Sequence, residues 1–131
     1  MHVYRIEWPD GTGFYRSNYF DHGLIDHTNE DWTHPTPFND SAWCASYNTL
    51  VYKRPHLDWA DLRFAFESLR SLRRWFYNDQ WIVNISEAGG VLCTYEVDPN
   101  TTVVGRTQLA FDYSTAKLIT KEPLANILEK V

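Results

Sequence analysis

The chain has 131 residues, 44% of them hydrophobic, which predicts one folded domain with a single core. Its formal net charge of −5 argues against a general nucleic-acid-binding protein, which needs a basic surface. No apolar run approaches the roughly 20 residues that span a bilayer, and the first residues lack the basic and apolar regions of a signal peptide. We therefore expect one soluble domain over residues 1–131, located in the cytoplasm.

The first seventeen residues predict a β-hairpin that holds two arginines. Apolar and polar residues alternate over residues 3–8, as in a half-buried strand. Pro9-Asp10-Gly11 then favours a tight turn, because proline presets φ and glycine allows positive φ. The hairpin would hold Arg5 and Arg16 near each other, and a fixed guanidinium suits phosphates and carboxylates. One side of the first strand carries Tyr4, Ile6 and Trp8. The other side carries Val3, Arg5 and Glu7.

Residues 18–47 show neither helical nor strand periodicity and are predicted to form a long irregular loop. Loops of this length in small domains are commonly binding segments. From Ser17 to Tyr52 there is no Lys or Arg, although acids and aromatic residues are frequent. One interpretation is a surface that binds a basic partner, and the other is a solvated acidic loop. The residues expected to contact a partner are Asp26, Glu30, Asp31 and Trp32.

The middle of the chain leaves two segments open. A strand is predicted over residues 46–52, ended by Pro55. Apolar residues over 58–77 recur at helical spacing and favour one long helix. Alternatively, residues 63–66 form a short strand and Ser68 caps a helix from Leu69 to Tyr77. Residues 81–85 are predicted either to continue a helix or to form a short strand.

The last third predicts strands with short helices. Residues 91–97 are rich in β-branched and aromatic side chains, which favour a strand. A turn at 98–100 leads to an extended segment at 101–104 and a strand at 106–111. Ser114 is predicted to start a short helix over 116–119, and Pro123 to open a last helix with an apolar face. The whole pattern predicts an α+β fold with a mostly antiparallel sheet and two or three helices. The apolar face of the last helix is Leu124, Ile127, Leu128 and Val131.

Chemically active side chains form no recognisable motif. His22, His27 and His34 lie beside aspartates, but no spacing of the HExxH or CxxC type occurs, so we expect no metal site. Cys93 lies in the middle of a predicted strand, where a thiol is usually inert. Cys44, beside an aromatic residue, is the better candidate nucleophile.

Several blocks resemble a family of small uncharacterised proteins encoded by bacteriophages and bacterial mobile elements. The resemblance covers most of the chain and implies expression in the cytoplasm of a host cell, but it implies no specific activity. The blocks are Val3–Glu7, Gly11–Ser17, His34–Phe38, Phe66–Leu69 with Leu72–Phe76, Tyr95–Val97 and Gly105–Phe111.

The order of elements also resembles ADP-ribosyltransferase-like domains. There an opening-strand Arg holds the dinucleotide, a central Ser supports the nicotinamide side and a late-strand Glu stabilises a ribosyl cation. The resemblance implies that Arg5, with Tyr4 and Arg16, binds a ligand such as NAD. The alternative for Arg5 is a structural salt bridge with Glu7 or with an acidic residue of the loop. It implies catalytic positions at Ser68 and Gln108, where Gln lacks the charge of the family's Glu, so Glu96 is the substitute.

Three functions follow as hypotheses from these patterns. The first is an NAD-like nucleotide-binding domain, either catalytically degenerate or active as an ADP-ribosyltransferase or NAD glycohydrolase; NAD would be a substrate or ligand, with no further cofactor expected. The second is a non-enzymatic counter-defence inhibitor that binds a host defence protein through the acidic loop. The third is an accessory structural protein of the phage particle.

Overall fold

The computed structural model describes residues 1–13, 41–54, 61–106 and 108–130. Within them, strands and helices are interspersed along the chain, and three strands follow one another near its end. In chain order the elements are β1 (His2–Glu7), α1 (Ser41–Lys53), β2 (Leu62–Ala65), α2 (Leu69–Trp75), α3 (Asp79–Glu87), β3 (Val91–Glu96), β4 (Thr102–Val104), β5 (Leu109–Asp112) and β6 (Lys117–Pro123), with 3₁₀ helices at Pro99–Thr101 and Leu124–Glu129.

The strands form two three-stranded sheets. Their orders are β1-β3-β6 and β2-β5-β4, and every pair is antiparallel. Tyr4 and Phe66 exchange two backbone hydrogen bonds of 2.8 Å, which connects β1 to the end of β2 and so joins the two sheets. The predicted α+β fold with a mostly antiparallel arrangement is therefore confirmed.

The helices α2 and α3 and the last 3₁₀ helix cover one face of the first sheet. Alternation along β1 and β3 turns apolar side chains toward them, as the period of a strand requires. The apolar residues recur on the helices at three- and four-residue spacing, which gives each helix one buried face. This cluster consists of Ile6, Trp8, Leu72, Trp75, Phe76, Trp81, Ile82, Ile85, Leu92, Leu124 and Ile127.

The opposite face of the first sheet packs against the second sheet, and α1 covers the far side of the second sheet. Tyr95 and Phe111 lie in the contact between the sheets, with ring centroids 5.4 Å apart. On α1, Trp43 stacks on Tyr47 and on Phe64 of β2, at centroid distances of 5.3 and 6.1 Å. Polar side chains on this face of β1 are therefore enclosed between the two sheets.

The predicted hairpin is confirmed over its first strand and its turn. The Trp8 N–H donates to the Thr12 carbonyl over 2.9 Å, and an isolated bridge pairs Glu7 with Gly13. Gly11 has φ +83°, the left-handed conformation for which glycine is preferred. Residues 14–17, including Arg16, lie outside the described residues.

The prediction of a strand over residues 46–52 is wrong, and so is the irregular structure assigned to residues 41–47, because α1 covers both. The aromatic and β-branched residues there favour strands in general. Trp43, Tyr47 and Leu50 instead follow i, i+4, i+7 spacing, which aligns them on the helix face that packs against the second sheet. Residues 18–40 lie outside the described residues.

Of the two alternatives for residues 58–77, the strand followed by a capped helix is confirmed over the described residues 61–77. Ser68 has extended backbone angles, and its Oγ accepts a hydrogen bond of 3.0 Å from the Ser71 N–H. A side-chain acceptor at this position satisfies an N–H that the first turn of a helix leaves without a backbone partner. Helix is likewise the correct alternative for residues 81–85, within α3.

Replacement of Ser68 by alanine is expected to lower the free energy of unfolding by about 1 kcal/mol, because the N-cap hydrogen bond is lost. Aspartate at the same position supplies an equivalent acceptor and is expected to retain most of the stability. Urea unfolding followed by tryptophan fluorescence measures both variants. Equal stability of the alanine variant and the wild type would contradict the capping role.

The short helix predicted over residues 116–119 is wrong, since these residues enter β6. The Asp112 carboxylate accepts hydrogen bonds from the Ser114 N–H and hydroxyl, at 3.0 and 2.6 Å, and thereby closes a turn. The chain then returns alongside β3, with Leu118 opposite Tyr95. The last predicted helix is a 3₁₀ helix, Leu124–Glu129. Other predicted strands are confirmed with shifted ends, as β3, β4 and β5.

Candidate functional site

A buried polar network lies between the two sheets, on the same side of β1 as Val3. The Arg5 Nε donates to Glu7 Oε2 over 3.0 Å, and the Tyr95 hydroxyl donates to the same oxygen over 2.5 Å. Arg5 is 6% exposed and Glu7 is 3% exposed. Burial lowers the pKa of the Arg5 guanidinium, while the Glu7 carboxylate raises it. An ion pair this deeply enclosed is costly to form and costlier to break.

Arg5 is also bound to the backbone of the second sheet. Its Nη1 donates to the Phe64 carbonyl over 2.8 Å. Beyond the turn, a Cβ placed on Gly13 would lie only 2.7 Å from Arg5 Nη2, so Gly13 lets the hairpin approach the guanidinium closely. Arg5 therefore links β1, β2 and the hairpin. Of the two interpretations of Arg5, the salt bridge with Glu7 is present, and ligand binding stays a prediction that would require these contacts to open.

The other predicted ligand and catalytic residues are dispersed. Tyr4 packs, partly buried, against the cluster under α2 and α3. Glu96, at the end of β3, binds the Met1 amine and the His2 ring over 2.8 and 2.7 Å, and the amine lowers the pKa of the Glu96 carboxyl. Ser68 is engaged as the cap of α2.

Gln108 lies near the Ser68 cap, in a small cleft with Glu67, Ser71 and Arg106. Ser68 reaches this region through a 3.0 Å hydrogen bond to the Ser71 hydroxyl. The cleft has a free volume of about 10 Å³, which is about the space that one water molecule needs. Two of the three proposed catalytic residues thus approach each other in a space too small for a nucleotide, and no described contact joins either of them to Arg5. Their catalytic roles stay predictions.

The cysteines and histidines offer little chemistry in the described part of the chain. Cys93 is fully buried, and burial together with the nearby Glu7 carboxylate raises the pKa of its thiol to about 12. A thiol that holds its proton is a poor nucleophile. Cys44 is half-buried. Among the described residues, no group of three or more His, Cys, Asp or Glu side chains could hold a metal ion; His22, His27 and His34 lie outside them.

The larger candidate site is a groove between α1 and the 3₁₀ helix Pro99–Thr101. It has a volume of about 660 Å³, within the range of small-molecule sites in proteins. Helical spacing along α1 brings polar side chains to one wall. The opposite wall comes from the connection between β3 and β4. The polar lining residues are Ser46, Thr49, Lys53, Arg54, Asn100 and Thr102.

Two cations stand at the end of this groove. Lys53 is the last residue of α1, and Arg54 continues its hydrogen-bond pattern by donating its N–H to the Leu50 carbonyl over 2.8 Å. Both side chains are exposed, and neither has an ion-pair partner in the part of the chain that the structure describes. Among the described residues, those that line the groove include no Asp or Glu, although the chain carries 17 of them. The described lining residues of the groove therefore carry positive charge on an acidic protein.

The polar groups of the groove are held in place by the fold. The Ser46 Oγ accepts a hydrogen bond of 3.0 Å from the Val104 N–H, which fixes α1 against the edge strand β4. Asp98 caps the 3₁₀ helix by accepting from the Asn100 N–H over 2.8 Å. The Ser46 hydroxyl and the side-chain amide of Asn100 are neutral hydrogen-bond donors, and both residues line the same groove as the two cations. Such a donor set can bind an anion with several acceptor oxygens.

Sequence reasoning missed this groove. The pattern Ser46, Thr49 and Lys53 follows the spacing of one helix face, and this is the signal that could have found its first wall. The prediction of a strand at 46–52 concealed it. The partner-binding residues predicted at positions 26–32 and the ligand residue Arg16 lie outside the described residues.

None of the described helices is both long and apolar enough to cross a membrane. A comparison with protein-family models matches residues 1–125 to the family described as bacteriophage T4 Y00F protein. Searches of curated proteins and of solved structures gave no match. The predicted phage origin is confirmed at the level of the family, whereas the resemblance to ADP-ribosyltransferase-like domains finds no support in these comparisons.

Proposed function

Since the chain belongs to the bacteriophage T4 Y00F protein family, we propose that this small phage protein binds a phosphate-bearing ligand in the groove between α1 and the 3₁₀ helix Pro99–Thr101. The observation that carries the proposal is the pair of exposed cations, Lys53 and Arg54, at a groove whose described lining residues include no carboxylate. A guanidinium and an ammonium complement phosphate oxygens in different ways, by a planar fork and by a compact charge.

The proposed ligand belongs to the class predicted from the sequence, but its phosphate-binding site lies elsewhere. The resemblance implied that Arg5 binds the phosphate, but Arg5 already donates hydrogen bonds to Glu7 and to the Phe64 carbonyl. A phosphate would have to displace a buried carboxylate there. At Lys53 and Arg54 it would displace no ion-pair partner among the described residues, which costs far less.

Replacement of both Lys53 and Arg54 by alanine is expected to weaken binding of inorganic pyrophosphate at least tenfold, because two charge-assisted contacts are lost. Isothermal titration calorimetry at low salt gives the affinities. The matched control is Arg70→Ala with Arg74→Ala, which removes two exposed cations from α2, away from the groove. Equal losses of pyrophosphate affinity in the two double variants would show that binding depends on net charge. That result would contradict a binding site in the groove.

The same double variant is expected to remain folded. Cations at a helix C-terminus interact favourably with its carbonyl end, and each contributes only about 0.3–1 kcal/mol when exposed. The urea midpoint, measured beside the titration, separates a loss of binding from a loss of structure.

The acidic segment supports a second candidate, a binding protein that docks a basic surface of a host protein. Its support is the sequence alone: no Lys or Arg from Ser17 to Tyr52, with acids and tryptophan between them. Charge complementarity of this kind speeds association and weakens with salt.

For this candidate we expect a triple variant, Asp26→Asn, Glu30→Gln and Asp31→Asn, to lose a host protein that the wild type retains from a lysate at low salt. Trp32→Ala would weaken retention at all salt concentrations, because its contact is apolar. The matched control neutralises three exposed acids elsewhere: Glu67, Glu87 and Glu129. A retained protein that survives the triple variant, or that is lost equally with the control, would contradict the candidate.

A further inference from the structure

The strand β6 forms one edge of the first sheet and is exposed on both of its faces. Six of its seven residues are exposed and the seventh is half-buried. None of the buried residues in the described core clusters comes from this strand. Leu118 and Ile119 are 47% and 43% exposed. Solvent-facing positions of antiparallel strands are usually polar, so two consecutive apolar residues on this strand need another explanation.

The other sheet edges in the described part of the chain are joined or covered. Tyr4 and Phe66 exchange backbone hydrogen bonds where the outer edges of β1 and β2 meet. At the outer edge of β4, the Val104 N–H donates to the Ser46 Oγ of α1. Among the described residues, none pairs with the outer edge of β6. Because an open edge is a template for another strand, β6 is where this fold can accept one.

The register of β6 shows which of its backbone groups face outward. The Leu124 N–H donates to the Gly90 carbonyl over 3.3 Å, one position beyond the pair of Val91 and Pro123. Inward and outward backbone groups alternate along an antiparallel strand. The N–H and the carbonyl of Lys121 therefore face the open edge, and so does the carbonyl of Pro123. Since proline has no N–H, the outward donor at this end of the strand is that of Lys121.

The charged side chains of β6 favour an acidic partner strand. Lys117 and Lys121 are both exposed. The one carboxylate of the strand, Glu122, is paired with Lys130 over 2.8 Å. Lys117 lies opposite Glu96, which already binds the N-terminal amine. An incoming strand with acidic side chains would therefore meet two lysines at this edge.

The same lysines disfavour a second copy of the chain as the occupant. Two copies of β6 paired antiparallel would bring four lysines onto one short edge, and like charges on facing strands are destabilising. Lysine on an edge strand is a common protection against self-association. The net charge of −5 adds repulsion between copies.

We propose that β6 binds an extended, acidic segment of another protein, which adds to the first sheet as a fourth strand. Backbone hydrogen bonds supply the affinity, as in other cases of strand addition. Acidic side chains beside Lys117 and Lys121 supply the preference, and apolar side chains of the segment contact Leu118 and Ile119. None of the residues that line the described groove comes from β6, so this binding surface is separate from the proposed phosphate site.

The test uses a short fluorescent peptide of alternating glutamate and valine, and its counterpart with lysine in place of glutamate. Fluorescence anisotropy at low salt is expected to show about tenfold tighter binding of the glutamate peptide, from attraction to two lysines on facing strands. The net charge of −5 would favour the lysine peptide, so this preference reports the local charge of β6. N-methylation of the valines blocks the backbone ladder and is expected to abolish binding.

Three variants locate the binding on β6. Lys117→Glu combined with Lys121→Glu is expected to reverse the preference between the two peptides. The matched control, Arg70→Glu with Arg74→Glu, changes two exposed cations of α2 and is expected to retain the preference. Lys121→Pro removes the outward N–H at a position where an edge strand accepts proline, and it is expected to weaken binding of both peptides. If Lys121→Pro does not fold, the N-methylated peptide tests the same hydrogen bonds.

Four outcomes would overturn the inference. They are no binding of the glutamate peptide, equal binding of the glutamate and lysine peptides, a preference that the β6 charge reversal leaves unchanged, and binding that survives N-methylation. Sedimentation equilibrium of the protein alone tests the other occupant. A dimer that Lys121→Pro converts to a monomer would assign the edge to a second copy of the chain.

Discussion

Replacement of Arg5 by alanine is expected to lower the free energy of unfolding by about 3–5 kcal/mol. The substitution leaves the Glu7 carboxylate, 3% exposed, without its cation. It also leaves the Phe64 carbonyl without the donor that ties the two sheets together. A domain of this size has a total stability of about 5–15 kcal/mol, so the variant is expected to unfold at much lower urea concentration, followed by tryptophan fluorescence.

Two further variants identify the cause. Adding Glu7→Gln to Arg5→Ala removes the isolated buried charge and is expected to recover part of the loss. Lys130→Ala breaks the ion pair between Lys130 and Glu122, which is more exposed than the pair of Arg5 and Glu7. This variant is expected to lower the free energy of unfolding by less than about 1 kcal/mol. If Arg5→Ala costs no more than Lys130→Ala, Arg5 is not a structural residue and its predicted role in ligand binding becomes the better account.

The local sequence pattern was sufficient to predict an element where the alternation of apolar residues and the turn-forming residues indicate the same structure. Alternation predicted β1 correctly, and Pro9-Asp10-Gly11 predicted its turn, because both signals depend on neighbouring residues only. The break before α2 depended on one side chain, Ser68, which can satisfy the first N–H groups of a helix. The relation of Arg5 to Glu7 was also visible as one of two alternatives. The burial of this pair, and the hydrogen bond that Glu7 accepts from Tyr95, 88 residues away, are indicated by no local pattern.

The groove could not be predicted from the sequence for two physical reasons. Its two walls come from α1 and from residues near Asn100, which tertiary packing alone brings together. In addition, its first wall exists only if residues 46–53 are helical. On a strand, Ser46 would face away from Thr49 and Lys53, whereas on a helix the three share one side. β-branched residues biased the prediction toward a strand, and the packing of Trp43 and Leu50 against the second sheet reversed that bias.

Above pH 9 the protein is expected to lose stability steeply, because two buried acids resist ionisation in the folded state. Burial raises the pKa of the Cys93 thiol from 9.0 to about 12. Burial and the hydrogen bond to Glu7 raise the pKa of the Tyr95 hydroxyl above its ordinary value of 10.0. Between these ordinary values and the raised ones, the unfolded chain has released protons that the folded chain still holds. The free energy of unfolding therefore falls as pH rises.

Each such group contributes a slope of about 1.4 kcal/mol per pH unit, and the difference of about three units at Cys93 amounts to roughly 4 kcal/mol by pH 12. Urea unfolding at intervals from pH 8 to pH 12 measures the curve. Cys93→Ala is expected to flatten it from pH 9 upward, and Tyr95→Phe from pH 10 upward. Tyr52→Phe, which removes an exposed hydroxyl far from the buried network, is expected to leave the slope unchanged. Parallel curves for all three variants would show that the network around Glu7 is open to water, and the same result would then favour Arg5 as a residue that a ligand can reach.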